Sequence, residues 1–137
     1  PYQFKTKGEM VRDCLAPQFL KDNIKWTMSC SHPDLGRYAG DPQPSHCGCC
    51  LPCTIRRAAI KFAGLNDESR YRDADYQEPE HAINLKSYRL GLSQYNEHPM
   101  HPLMAIQQSG PITERHKDYA ELYTRGMDEF KNFIDSL

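Results

Sequence analysis

Apolar residues recur along this chain at helical rather than alternating spacing. Met10, Val11, Cys14 and Leu15 fall on one face of a short helix. Thr6-Lys7-Gly8-Glu9 has the form of a capping box, which starts that helix, and Pro17 stops it. Cys14 reads as a core position. Trp26-Thr27-Met28-Ser29-Cys30 reads as a short extended segment. From Ser31 to His46, Pro33, Gly36, Gly40, Pro42 and Pro44 preclude regular structure and predict a loop. Ile55, Ala58, Ala59 and Phe62 then recur at helical spacing, with Pro52 in the first turn and Gly64 as the stop. Asn66 to Glu80 is polar and reads as a solvated connection. A weaker helical pattern follows through Ala82, Ile83, Lys86 and Leu90. Pro99, Pro102, Gly110 and Pro111 bracket a short apolar turn at Leu103, Met104 and Ile106. The clearest pattern is the last: Tyr119, Leu122, Tyr123, Met127, Phe130, Phe133, Ile134 and Leu137 make one stripe, with Lys117, Glu121, Arg125, Glu129 and Lys131 around it. A stripe of that length predicts burial against the domain or a partner.

The fold class expected from these patterns is mainly α, with an irregular cysteine-bearing loop. Residues 1–65 form the metal-binding region and 66–137 a helical extension packed on it, the whole being one folding unit of 137 residues. Hydrophobic residues make up 39%, charged residues 26%, and the net charge is -1, which excludes a disordered chain and a basic nucleic-acid surface. No run approaches a membrane span and the first ten residues lack an apolar signal core, so membrane association is not expected and a cytoplasmic location is. A start at Pro1, with a helix entry and no preceding element, reads as the C-terminal part of something longer.

Four of the six cysteines fall between Cys47 and Cys53, a crowding that suits a metal in a reducing compartment better than disulfides. Cys47, Cys50 and Cys53 form C-x2-C-x2-C, and Gly48 supplies a bend that lets the thiolates converge. A tetrahedral site needs a fourth ligand, and Cys30 across the Pro/Gly-rich loop is the natural donor. Four thiolates leave a double negative charge on Zn2+, which the following helix N-terminus, Arg56 and Arg57 would offset. Iron is the rival metal, but the ferredoxin continuation is absent because Arg57 stands where its fourth Cys would be. Cys49 is the second choice for a ligand, since it breaks the three-residue spacing. His32 and His46 flank the cluster and read as surface or supporting residues; His81, His98, His101 and His116 read as surface. No glycine-rich phosphate loop, G-x-S-x-G or paired-carboxylate motif is present.

Lys7-Gly8-Glu9-Met10, then Trp26-Thr27-Met28-Ser29-Cys30, then Cys47-Gly48-Cys49-Cys50-Leu51-Pro52-Cys53-Thr54-Ile55-Arg56-Arg57 resembles, in that order, the C-terminal part of the 7-cyano-7-deazaguanine synthase (QueC) family. The family pattern is T-K-x-E-[IM], T-x-S-C and C-G-x-C-x-x-C-x-x-R, and the resemblance implies that the four cysteines bind zinc. It further implies an α/β enzyme of the adenine nucleotide alpha hydrolase-like kind, with an S-G-G-x-D-S loop that these residues do not contain. ATP and Mg2+ are then cofactors of the full enzyme, and a 7-deazaguanine carboxylate is its substrate. The chain departs from the family in its longer loop between the first two cysteines, in Ser31 and His32 after the first, and in the length beyond Cys53. The long tail, with Ser109-Gly110-Pro111-Ile112 and Tyr123-Thr124-Arg125-Gly126-Met127, is more similar to the QueC-like proteins of antiphage operons, the QatC group. On this reading Lys7, Arg56 and Thr27 are substrate-contact candidates, although Lys7 and Arg56 equally suit capping and charge-balancing roles. A partner protein or second copy would dock through 113–137.

Overall fold

The computed structural model describes residues 1–41 and 43–137. Among the described residues six α-helices follow one another: α1 (Lys7–Arg12), α2 (Pro17–Asn23), α3 (Leu51–Phe62), α4 (Pro79–Glu97), α5 (Pro102–Gln107) and α6 (His116–Ile134). Single 3-10 segments cover Ile24–Trp26 and Pro33–Ala39. No strand occurs among the described residues; His46 and Tyr71 form one isolated parallel bridge.

Local chemistry accounts for the helix ends. The Thr6 hydroxyl accepts from the Glu9 amide at 3.1 Å while the Glu9 carboxylate accepts from the Thr6 amide at 2.8 Å, a complete capping box. Helix α3 ends in a Schellman motif: Leu65 N–H reaches Ile60 C=O at 3.1 Å and Gly64 N–H reaches Lys61 C=O at 2.9 Å. Gly64 adopts φ +67°, a conformation that glycine takes without steric cost.

Two small cores meet side by side. Ala58, Leu92, Phe133 and Ile134 bring α3, α4 and α6 together, with Met127 and Phe130 against them. Cys47, Cys49, Cys53 and Tyr76 form the second, and Leu85 and Tyr88 of α4 touch both. Helix α1 is fastened to α6 by polar groups. The buried Glu129 carboxylate accepts from the Thr6 hydroxyl at 2.7 Å and from the Gly8 amide at 3.0 Å. Arg125 donates to Glu9 at 2.8 Å and to the Phe4 carbonyl at 2.6 Å. A Cβ on Gly8 would lie 2.5 Å from Glu129 Oε2 and 2.7 Å from Phe62 Cδ1, so this close approach requires glycine.

Several local expectations are revised. Helix α1 ends at Arg12 with Asp13 as its C-cap, before Cys14 and Leu15, so Pro17 is not what stops it; Pro17 instead occupies the first turn of α2, where a missing N–H costs nothing. Leu15 is exposed and Cys14 only half-buried, so neither is a core residue. The segment at Trp26 to Cys30 is a 3-10 turn followed by irregular chain, with Trp26 turned outward. Pro33–Ala39 is 3-10 rather than structureless, because Pro33 suits the first turn and Gly40 at φ +81° closes it. Pro42 lies outside the described residues. In α4 the inward residues are Leu85, Tyr88 and Leu92, while Ile83 and Leu90 are exposed. The apolar turn at 103–106 is helix α5. Within the α6 stripe Phe133 and Ile134 are buried, the residues before them are half-buried, and Leu137 is exposed.

Candidate metal centre

The Sγ atoms of Cys30, Cys47, Cys50 and Cys53 all lie within 4.8 Å of one another, an arrangement that could hold a metal ion. Cys47 and Cys53 are 3.9 Å apart, close to the roughly 3.8 Å edge of a tetrahedron with metal–sulfur bonds near 2.3 Å. The loop is bent to this shape by backbone donors aimed at sulfur: Cys47 N–H and His32 N–H each lie 3.3 Å from Cys30 Sγ, and Cys50 N–H lies 3.3 Å from Cys47 Sγ. Such donors favour the ionised form of a thiol. Cys47 is held well below the ordinary thiol range, first by the Cys53 thiol and then by the Cys50 and Cys49 amides, against the effect of burial. Cys53 is pushed up because that same neighbour carries the charge, and burial adds to it. Burial pushes the Cys30 thiol up as well, against its two amide donors, so the negative charge of the quartet rests on Cys47, just ahead of α3, where the helix N-terminus favours it.

Gly48 turns the loop at φ +92°, and a Cβ there would collide with the Asp73 carbonyl oxygen. That contact exists because residues 70–73, within the Asn66 to Glu80 stretch expected to be a solvated connection, lie along the cysteine loop. His46 N–H donates to Arg70 O at 3.2 Å, Arg72 N–H to His46 O at 2.9 Å, and Asp73 N–H to Cys47 O at 3.1 Å. Buried Asp73 accepts from the Gln77 and Glu78 amides and from His81 at 2.8 Å. His81 is therefore tied into the structure rather than free at the surface. Buried Tyr76 holds φ +55° and shares a 2.9 Å hydrogen bond with Thr54. These supports could not be read from the polarity of the segment; the one available signal was the pair Asp73 and Tyr76 within a charged run.

Cys49 stands outside the quartet, buried, with its thiol 3.6 Å from Cys47 Sγ. Burial, then that contact, pushes it up to about 12, so it stays protonated. His46 is buried, its Nδ1 3.7 Å from Cys53 Sγ and its Nε2 3.1 Å from Thr27 O, whereas His32 is exposed. Burial, then the Arg56 charge, lowers the His46 pKa, so the ring is neutral near pH 7.

The structure joins two of the three residues singled out for substrate contact and separates the third. Arg56 is buried and donates to Thr27 Oγ1 at 2.7 Å, to Ser69 Oγ at 2.9 Å and to the Ile24 carbonyl; its Nε has no partner among the described residues. Thr27 in turn donates to the Ile24 carbonyl at 2.8 Å. Lys7 is exposed on α1 and lines an open apolar groove of about 590 Å³ between α3, α4 and α6, with Ile55, Leu122, Tyr123 and Phe130 in its walls. Arg57 donates to Gly48 O at 3.2 Å and lays its guanidinium 4.9 Å from the Phe133 ring centroid, bridging the cysteine loop and the helical core.

The chain is similar to the 7-cyano-7-deazaguanine synthases of Cupriavidus taiwanensis and Cupriavidus necator, 38% identical over 69 residues, which are 50% of this chain and 26% of each relative. The corresponding enzyme of Brucella ovis is 34% identical over 76 residues, 56% of this chain and 28% of the relative. The chain thus spans about a quarter of the length of these curated relatives. No family model matches, and no solved structure matches. No helix among the described residues is long and apolar enough to cross a membrane.

Proposed function

We propose that this chain is the zinc-binding C-terminal portion of an ATP-dependent 7-cyano-7-deazaguanine synthase-like ligase acting on a 7-deazaguanine carboxylate. The observation that carries the reading is the convergence of Cys30, Cys47, Cys50 and Cys53 at the spacing of the family motif, in a chain similar to those synthases. Cys30, Cys47, Cys50 and Cys53 hold the ion. Four protein thiolates leave no open position for water or substrate, so zinc supplies a brace and not a Lewis acid. Residues 1–65 and 66–137 act as one folding unit beside an α/β nucleotide domain that brings ATP and Mg2+.

A ligase of this class activates a carboxylate as its adenylate, keeps it from water, and admits an amine. Within this chain, Arg56 sets the position of Thr27, and Thr27 is the group of that pair able to face a substrate. Lys7 offers its ammonium to the carboxylate or a phosphate. Among such ligases, the long tail favours the antiphage QatC-like kind. A second reading, a non-catalytic zinc module that binds a protein in an antiphage-defence complex through 113–137, is favoured by the apolar groove on α6.

The experiment is turnover. The 137 residues alone should not consume ATP, while the same residues joined to a pyrophosphatase-type nucleotide domain should release AMP or pyrophosphate when given a 7-deazaguanine carboxylate. Robust ATP hydrolysis by the 137 residues alone contradicts the division of labour. Absence of turnover in the joined protein, with zinc retained, favours the second reading.

A further inference from the structure

The four-thiolate centre leaves one sulfur of its own loop unused. Cys49 is 4% exposed and stands outside the quartet of Cys30, Cys47, Cys50 and Cys53. Its Sγ nevertheless lies 3.6 Å from Cys47 Sγ, nearer than the 3.9 Å that separates Cys47 from Cys53 within the quartet. Gly48, at φ +92°, turns the chain between the two residues. A disulfide requires about 2.05 Å between its sulfurs, so the pair must close by about 1.5 Å. The backbone around it is held meanwhile: the Tyr88 hydroxyl donates to Cys49 O at 2.9 Å, and Arg57 donates to Gly48 O at 3.2 Å.

Cys49 also packs beside Tyr76, a role that any small apolar side chain could fill. A second sulfur in contact with a ligand sulfur adds chemistry that such a side chain lacks. Thiolates attack hydroperoxides, and half-buried Cys30 and Cys50 mark the side by which a molecule as small as hydrogen peroxide reaches the quartet. Attack by the Cys47 thiolate breaks the peroxide O–O bond and gives a sulfenic acid on Cys47 and, with one proton, water. The Cys49 sulfur then attacks Cys47 Sγ; the S–O bond breaks, and hydroxide leaves with the thiol proton as water. Two electrons have passed from the two sulfurs to one peroxide. Cys30, Cys50 and Cys53 remain, one donor short of a closed structural site. Cys53 is the poorer attacking group, because in a four-thiolate centre its lone pair is engaged and that of Cys49 is free. Without a resolving thiol, the sulfenic acid goes on to sulfinic acid, which thiols do not reverse.

We infer that Cys49 is the resolving thiol of a redox switch at the metal centre: a hydroperoxide drives formation of a Cys47–Cys49 disulfide, which opens the quartet and releases the ion, and a thiol reductant restores it. This rests on the four-thiolate part of the proposed function.

The test treats the purified 137-residue chain with hydrogen peroxide, follows zinc with a chromogenic chelator, and maps the cysteines by differential alkylation and fragment-ion sequencing. The natural chain should release its zinc as Cys47 and Cys49 become joined, and should take zinc up again in full after a thiol reductant. Cys49→Ala should hold zinc as well as the natural chain before oxidation, lose it under peroxide, and fail to recover it, with sulfinic acid on Cys47. Cys49→Val, closer in volume, repeats the comparison if the alanine variant melts lower. Equal recovery of zinc with and without Cys49, or a disulfide joining any other pair, overturns the inference. So does loss of zinc from both variants before any oxidant is added, which would make Cys49 a ligand. A natural chain purified without zinc sinks the metal reading and this inference together, whereas zinc present with no Cys47–Cys49 disulfide under peroxide sinks this inference alone.

Discussion

The cysteine loop and the α4–α6 end of the molecule are held by different forces. The loop from Cys30 to Cys53 buries only its cysteines against Tyr76, Leu85 and Tyr88, leaving Leu35 and Tyr38 exposed, and its shape is set by amide donors on sulfur, Gly48 and the backbone of residues 70–73. The helical end is ordinary packing around Leu92, Phe133 and Ile134. On the proposed zinc reading one region depends on an ion and the other on volume, and each should fail independently at first. Leu85, Tyr88 and Arg57 touch both and limit that independence.

Removing the metal is the largest perturbation expected. Structural zinc contributes about 10–16 kcal/mol in zinc-finger peptides, so Cys53→Ser should lose the ion and disorder residues 30–53. Amide exchange would locate the damage; an intact loop in a metal-free variant would erase the contrast. Ile134→Ala should cost about 2–5 kcal/mol, since its side chain is fully enclosed, yet leave metal content at its original value. Thermal unfolding with elemental analysis reads both quantities.

Next comes the polar fastening of α1. Glu129→Ala strands the Thr6 hydroxyl and the Gly8 amide and should cost about 1–3 kcal/mol. Gly8→Ala should cost a comparable amount by steric overlap with Glu129 and Phe62, measured by denaturant unfolding. The smallest effect is that of pH on Glu9. Burial alone would raise the Glu9 pKa, but the Thr6 amide and Arg125 outweigh it and the folded value is lowered from 4.5. A lowered folded pKa means stability that is present above the unfolded value and lost as pH falls through the folded one. The stability difference between the natural chain and Glu9→Gln should thus be constant near neutral pH and shrink below about pH 4.5.

Much of this was legible in the sequence where local rules govern. The capping box at Thr6, the Gly64 stop and the Cys30, Cys47, Cys50, Cys53 set depend on residue type at short spacing, and the structure brings those residues together. What escaped depends on distant contacts. The inward face of α4 is chosen by neighbouring Phe133 and by Tyr76, so the weak pattern through Ile83 and Leu90 does not mark it. The exposure of Leu15 escaped because helical spacing reports a face and not whether anything covers it. Glu129 looked like decoration on α6, because its partners lie 121 and 123 residues away.

The four-thiolate centre is the element on which the whole account depends, and X-ray absorption at the metal edge on the purified chain tests it most directly. The expected spectrum shows one zinc per chain with four sulfur neighbours at about 2.3 Å and no oxygen. An oxygen or nitrogen neighbour in the first shell, or iron with sulfide in place of zinc, would contradict it.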